Sequence, residues 1–169
     1  MLADLLRAAA RLFSFPGAQH LQNIHPLVVH FPIALLFTTA LIYWLGFLAR
    51  RESWQWSGLW TLVLGALGAA VAAATGLYAA PGVMLAPSVK TALLAYHKWT
   101  MIAVAILSVT LALWAIAARP MPERGRRAFL ALLLLVAALI AKGADYGGRM
   151  VYDYNAGGYA CCQPIEFSQ

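Results

Sequence analysis

The fold of this chain is decided by residues 25–49, which read HPLVVHFPIALLFTTALIYWLGFLA. From about Val28 to Ala49 this stretch contains no Asp, Glu, Lys or Arg. A helix needs about 20 apolar residues to cross the roughly 30 Å of hydrocarbon in a lipid bilayer. The bilayer core offers no water to an unpaired backbone, so a segment this long and apolar predicts a transmembrane helix.

Three further apolar runs follow along the chain. They extend from about Leu59 to Ala80, from Ala92 to Ala118 and from Ala128 to about Lys142. Of the 169 residues, 63% are hydrophobic and only 11% are charged, whereas soluble domains carry roughly 25% charged residues. The sequence therefore predicts an all-α fold, a four-helix transmembrane bundle in a lipid bilayer.

The arginines indicate which way the bundle faces. Arg50 and Arg51 follow the first run, and residues 119–127, between the third and fourth runs, contain four more arginines. These two gaps share one side of the membrane and hold six Arg against two Glu, which the positive-inside rule places in the cytoplasm. We expect the inner membrane of a bacterium, with both termini in the periplasm. The net charge of +6 belongs to these loops, so we do not expect nucleic-acid binding.

The two ends of the chain are predicted to lie outside the membrane-spanning domain of residues 25–147. Residues 1–24 carry apolar side chains at helical spacing opposite Arg7 and Arg11, which favours an amphipathic interfacial helix over a secretory signal. Residues 148–169 are predicted to form an outward-facing tail. It contains Cys161 and Cys162, which are adjacent and so fit neither a zinc site nor a CxxC motif. On an oxidising side of the membrane we expect them not to remain two free thiols.

The histidines carry the predicted chemistry. His25 and His30 begin the first helix, and His97 begins the third, which runs in the same direction, so all three should lie near the outward surface. Two imidazoles on facing helices are what bis-histidine haem ligation requires, and a histidine inside a membrane helix is costly without a function. We predict one haem b, bound without covalent attachment, with His30 and His97 as axial ligands. His25 would be a reserve ligand or a hydrogen-bond partner.

Three other residues are predicted to help hold the haem. Lys142 and Arg149, near the outward end of the fourth helix, are expected to pair with its propionates, although snorkelling of surface cations is the alternative explanation. Gly76 belongs to a stripe of small residues in the second helix. Such a stripe lets a flat group or another helix approach closely. The stripe consists of Gly65, Gly68, Ala69, Ala72 and Gly76.

The segment from His25 to Leu35 resembles the start of a bacterial family of four-helix membrane proteins, DUF2231, whose first helix opens with an HPxxVHFP motif. Members of that family close helix two with Thr-Gly, open helix three with a histidine, and carry Gly-Gly and then Val-Tyr after helix four. The matching residues here are Thr75-Gly76, His97 and the segment from Gly147 to Tyr152. The resemblance implies a membrane protein associated with haem or redox chemistry. Many members carry a further histidine where this chain has Asp153, so a second haem or metal site is not expected.

Three functions remain open on these grounds. The first is a b-type cytochrome-like subunit that moves electrons between the quinone pool and a periplasmic cytochrome or dehydrogenase, rather than a stand-alone enzyme. The second is a cofactor-free membrane anchor or assembly subunit of a larger complex. The third is a metal site of His25, His30 and His97, a ligand set that suits zinc or copper. The five-residue spacing of His25 and His30, however, puts them about 140° apart around a regular helix.

Overall fold

The computed structural model describes residues 23–156, and in this range four long helices form an antiparallel bundle. All four are long and apolar enough to cross a membrane, which confirms the predicted all-α architecture. The predicted interfacial segment of residues 1–24 lies outside the described residues, except for residues 23 and 24. The Cys161–Cys162 pair also lies outside them. The helices are α1 (His25–Leu48), α2 (Glu52–Ala79), α3 (Pro87–Ala118) and α4 (Arg126–Tyr152).

The helices are longer than the apolar runs that predict them. α2 begins at Glu52 rather than near Leu59, and α3 begins at Pro87 rather than near Ala92. α4 continues to Tyr152, into the segment predicted as the tail. The apolar run marks only the part of a helix inside hydrocarbon, whereas the backbone hydrogen bonds of the helix continue into the polar interface.

The four helices enclose one core in chain order. α1 packs on α2, α2 on α3, and α3 on α4, while a thinner contact between α4 and α1 closes the ring. α1 and α3 are therefore diagonal to each other. The N-terminal ends of α1 and α3 and the C-terminal ends of α2 and α4 lie at the same end of the bundle. We call this end the histidine end. The opposite end, with Arg50, Arg51 and the loop at residues 119–125, is the arginine end.

The small residues of α2 allow α1 to approach closely along its whole length. A methyl group added at several of these glycines would lie about 3 Å or less from an α1 side chain, with distances of 2.8–3.0 Å. Helices in lipid associate largely through such close packing, because the lipid tails are as apolar as the side chains they would replace. The contacts pair Gly58 with Tyr43, Gly65 with Leu36, Gly68 with Phe31 and Gly76 with His25.

Aromatic side chains fill the core at the arginine end. Tyr43 is fully buried, its ring centre lies 5.0 Å from that of Phe129, and its hydroxyl donates to the carbonyl oxygen of Pro120 at 2.8 Å. Trp114 packs edge-on against Phe129 at 5.7 Å. Large apolar side chains, such as Trp60, instead cover the outside of the bundle, which is the surface that lipid would solvate.

Candidate functional site

The histidine end brings His25 and His97 together across the diagonal of the bundle. Their ring centres lie 6.4 Å apart and their planes are inclined at 80°. Both side chains are half-buried. Each lies on the inward stripe of its helix, since His25 is seven residues before the buried Pro32 and His97 seven before the buried Val104. Seven residues are close to two helical turns, so each histidine continues the buried face of its helix.

His25 is held by α1 and α2 together. Its backbone N–H donates to Oδ1 of Asn23 at 3.0 Å, and the following Pro26 suits a first helical turn, so the chain begins α1 at this point. The imidazole lies against Gly76, where a methyl group would come within 2.8 Å of Cε1. Its Nδ1 lies 3.1 Å from Oγ1 of Thr75. Residues of α2 therefore fix both the position and the rotation of this ring.

The hydrogen bonds of Thr75 favour one tautomer of His25. The Thr75 hydroxyl has the carbonyl oxygen of Ala72 as an acceptor for its one hydrogen, at 3.0 Å. With its hydrogen placed there, its oxygen accepts from Nδ1–H of His25. Nε2 of the neutral ring then keeps its lone pair for a ligand.

His97 is held in the same way by α4. Its Nδ1 lies 2.8 Å from the carbonyl oxygen of Gly143, and because a carbonyl only accepts, Nδ1 is again the protonated nitrogen. Its ring lies against Gly147, where a methyl group would be 3.1 Å from Cε1. His97 follows a π-helical segment, Lys90–Leu94, within α3. Such segments are rare and frequently occur at functional sites.

The two imidazoles are candidate ligands for one metal centre. Ligating histidines usually donate their second ring N–H to a carbonyl or another oxygen, as both do here. Two rings that share one metal through bonds of about 2 Å have centres roughly 6 Å apart, close to the separation of His25 and His97. Within residues 23–156 no group of three or more His, Cys, Asp or Glu side chains is placed to hold a metal ion. Two imidazoles match in number the two axial ligands of a bis-histidine haem, whereas a structural zinc site needs four protein ligands.

His30 does not share this site. Its side chain is exposed on the outer surface of the bundle, and the ring that faces His97 belongs to His25. The physical reason is the five-residue spacing, which rotates His30 by about 140° from His25 around α1. The structure therefore does not bring His30 and His97 together as predicted, but brings His25 and His97 together. The same rotation separates the three imidazoles of the alternative zinc or copper site.

The other predicted site residues lie at the histidine end in different relations to the pair. Gly76 contacts the His25 ring directly. Lys142 lies 3.6 Å from the carboxylate of Asp145, and Arg149 lies 3.4 Å from that of Asp153. Both cations are exposed, and each pairs with a carboxylate three or four residues further along the chain. Their role as propionate partners remains a prediction.

Thr75, Gly143 and Gly147 also belong to the site, although the sequence pattern predicts no role in it for them. Thr75 precedes the predicted Gly76, and Gly143 and Gly147 are spaced to share one face of α4. That spacing of glycines at the polar end of an apolar helix was a usable signal. It could not indicate which helix the face meets.

A family model described as "Predicted membrane protein (DUF2231)" matches residues 21–159 of this chain. The matched range includes the whole bundle and every residue of the site described above. Comparison with curated proteins and with solved structures found no match.

Proposed function

We propose a redox function for this chain, which belongs to the DUF2231 family of predicted membrane proteins: it binds one haem b between His25 and His97 and transfers electrons. The observation that carries the proposal is the pair of neighbouring imidazoles, whose ring centres lie 6.4 Å apart. Both Nδ1 atoms form hydrogen bonds with oxygen atoms. Bound haem would supply a one-electron redox centre. The protein supplies both axial ligands, their tautomers and their surroundings.

The ligand pair would join the two helical hairpins of the bundle, α1–α2 and α3–α4. His25 is fixed by α2 and His97 by α4, so each imidazole is oriented by the other helix of its own hairpin. Gly76 and Gly147 let the rings lie against the helix backbones, leaving no side chain at either position to displace them. Prepositioned imidazoles need little reorganisation on binding, which strengthens the ligation.

The position of the site suggests the kind of partner. The histidine end is opposite the arginine end, which the positive-inside rule assigns to the cytoplasm. A haem there would lie close to the periplasmic surface of a bacterial inner membrane. We propose that it exchanges electrons between the quinone pool and a periplasmic cytochrome or dehydrogenase, and that the chain acts as a subunit rather than as a stand-alone enzyme.

The visible spectrum of the protein purified from cells supplied with a haem precursor tests this function. The reduced-minus-oxidised spectrum should show the sharp alpha band of six-coordinate, low-spin haem b. His25→Ala and His97→Ala should each abolish that band or convert the haem to high spin, because each removes one of two axial bonds. His30→Ala is the matched control and should keep the wild-type spectrum.

Two results would contradict parts of the proposal. If His30→Ala lost the low-spin haem while His25→Ala kept it, His30 would be the ligand and the protein would still be a cytochrome. A well-folded wild-type protein that carries no haem despite ample supply would refute the redox function. It would favour the alternative of a cofactor-free membrane anchor or assembly subunit.

A further inference from the structure

The two candidate ligands differ in the acceptors of their Nδ1–H groups. His97 donates to a backbone carbonyl, that of Gly143, at 2.8 Å, whereas His25 donates to the hydroxyl of Thr75 at 3.1 Å. A side chain can be exchanged by mutation and a backbone carbonyl cannot. Thr75 therefore supplies His25 with a side-chain acceptor that a single substitution can remove.

We propose that Thr75 is a positioning residue that sets the tautomer and the electron-donor strength of His25. Its hydroxyl donates to the carbonyl oxygen of Ala72 and then presents its own oxygen to the imidazole as an acceptor. That acceptor holds the hydrogen on Nδ1 and leaves Nε2 as the ligating atom. An acceptor at Nδ1–H also raises the basicity of the ligating nitrogen, as the oxygen partners of metal-bound histidines do.

The consequence for haem chemistry rests on the proposed function. Without the Thr75 acceptor the His25 imidazole would be a weaker electron donor and would stabilise the oxidised iron less. The reduction potential would rise. Loss of such a hydrogen-bonding partner typically costs about 10- to 100-fold in metal affinity, and we expect a decrease of that order in haem affinity.

Three variants separate the role of the hydroxyl from that of side-chain shape. Thr75→Val keeps the branched shape and removes the hydroxyl, whereas Thr75→Ser keeps the hydroxyl. Thr110→Val is the matched control, since Thr110 makes the same kind of hydrogen bond to its own helix, to Ile106 at 2.8 Å, but on an exposed face. It should behave as wild type in every measurement below.

The first measurement uses haem-free, ¹⁵N-histidine-labelled protein in detergent micelles. Two-bond ¹H–¹⁵N correlation spectra, assigned with His25→Ala, report which ring nitrogen carries the hydrogen. Wild type, Thr75→Ser and Thr110→Val should show His25 protonated on Nδ1, and Thr75→Val should shift toward protonation on Nε2. An unchanged tautomer in Thr75→Val would overturn the proposal.

The second measurement is a redox titration and haem titration of the reconstituted protein. Thr75→Val should show a raised potential and a haem affinity about 10- to 100-fold lower, while Thr75→Ser restores both. An unchanged potential and affinity in Thr75→Val would overturn the inferred effect of Thr75 on the haem. If wild type took up no haem, only the redox function would fail, because the tautomer measurement decides the positioning role independently.

Discussion

Residue 76 determines how closely the His25 imidazole can approach α2. A methyl group at this position would lie 2.8 Å from Cε1, 3.2 Å from Nδ1 and 3.3 Å from Nε2 of the ring. Real methyl carbons do not come this close to a neighbour, so the ring would have to move. The ring also forms a hydrogen bond with Thr75, which lies in α2 next to Gly76. A displacement of the ring by a few tenths of an ångström would lengthen this bond.

Gly76→Ala should therefore weaken haem binding without unfolding the bundle, because the atom that must yield belongs to a side chain. We expect at least about a 10-fold loss of haem affinity, the effect typical of disturbing the groups that orient a metal ligand. Gly148→Ala is the matched control. Its methyl group would meet nothing closer than Cδ2 of Tyr152 at 4.0 Å, so it should bind haem as wild type does.

Haem titration of the two purified variants checks this prediction. An alanine at an unhindered helical glycine also stabilises a helix by up to about 1 kcal/mol. Gly148→Ala should for this reason unfold no earlier than wild type. Equal haem affinity in Gly76→Ala and wild type would show that the close contact with His25 does not matter for binding.

The two ends of the bundle differ in the contacts between their helices. At the histidine end, polar contacts and glycines position two imidazoles. At the arginine end, one buried hydrogen bond joins α1 to the α3–α4 loop. Tyr43 donates that bond to Pro120, and its ring is enclosed by Phe129 and by Gly58 of α2. The contact joins the two hairpins at the end remote from the site.

Tyr43→Phe should destabilise the bundle at the arginine end and leave the histidine site intact. It keeps the packed ring but leaves the Pro120 carbonyl without this donor, which typically costs about 1–3 kcal/mol when the group is buried. Thermal unfolding in detergent should show a melting temperature several degrees lower. Tyr78→Phe is the control because Tyr78 is 89% exposed, and it should melt as wild type does. A wild-type melting temperature in Tyr43→Phe would mean that the bond contributes nothing to stability.

The π-helical segment of α3 is an element-scale feature that affects the site. Lys90–Leu94 adds an extra residue to the turn just before His97, and this rotates the rest of α3 relative to its first turn. Leu93 of this segment packs against Met150 of α4, while His97 faces Gly143. The segment therefore allows the start of α3 and the histidine to contact α4 at the same time.

At the scale of the whole molecule, the function proposed here depends on the side of the membrane at which the histidine end lies. The arginine end carries six Arg and two Glu. This excess of arginine in short loops opposes their translocation across the membrane. The histidine end should face the periplasm.

Single-cysteine labelling checks this orientation. Ser53 lies at the arginine end and Ser88 at the histidine end, and both are exposed. With Cys161 and Cys162 replaced by serine, Ser88→Cys should react with a membrane-impermeant maleimide in spheroplasts. Ser53→Cys should react only after permeabilisation. The reverse pattern would place the site at the cytoplasmic surface and exclude a periplasmic redox partner.

The sequence by itself determined the four membrane spans, their order and the end of the bundle that carries the histidines. These properties depend on the length of each apolar run and on the charges in the loops. Both can be read from local sequence without knowledge of contacts between distant residues. The antiparallel alternation of four spans then necessarily puts His25, His30 and His97 at one end.

Only the tertiary structure decided that His25, and not His30, faces His97. α1 is apolar around its whole circumference, because its outer face contacts lipid and its inner face packs in the hydrophobic core. No polar face therefore indicates how the helix is rotated about its axis. Its rotation is set instead by side chains such as Leu36 and Tyr43, which pack against glycines of α2. That packing turns His25 toward the core and His30 outward.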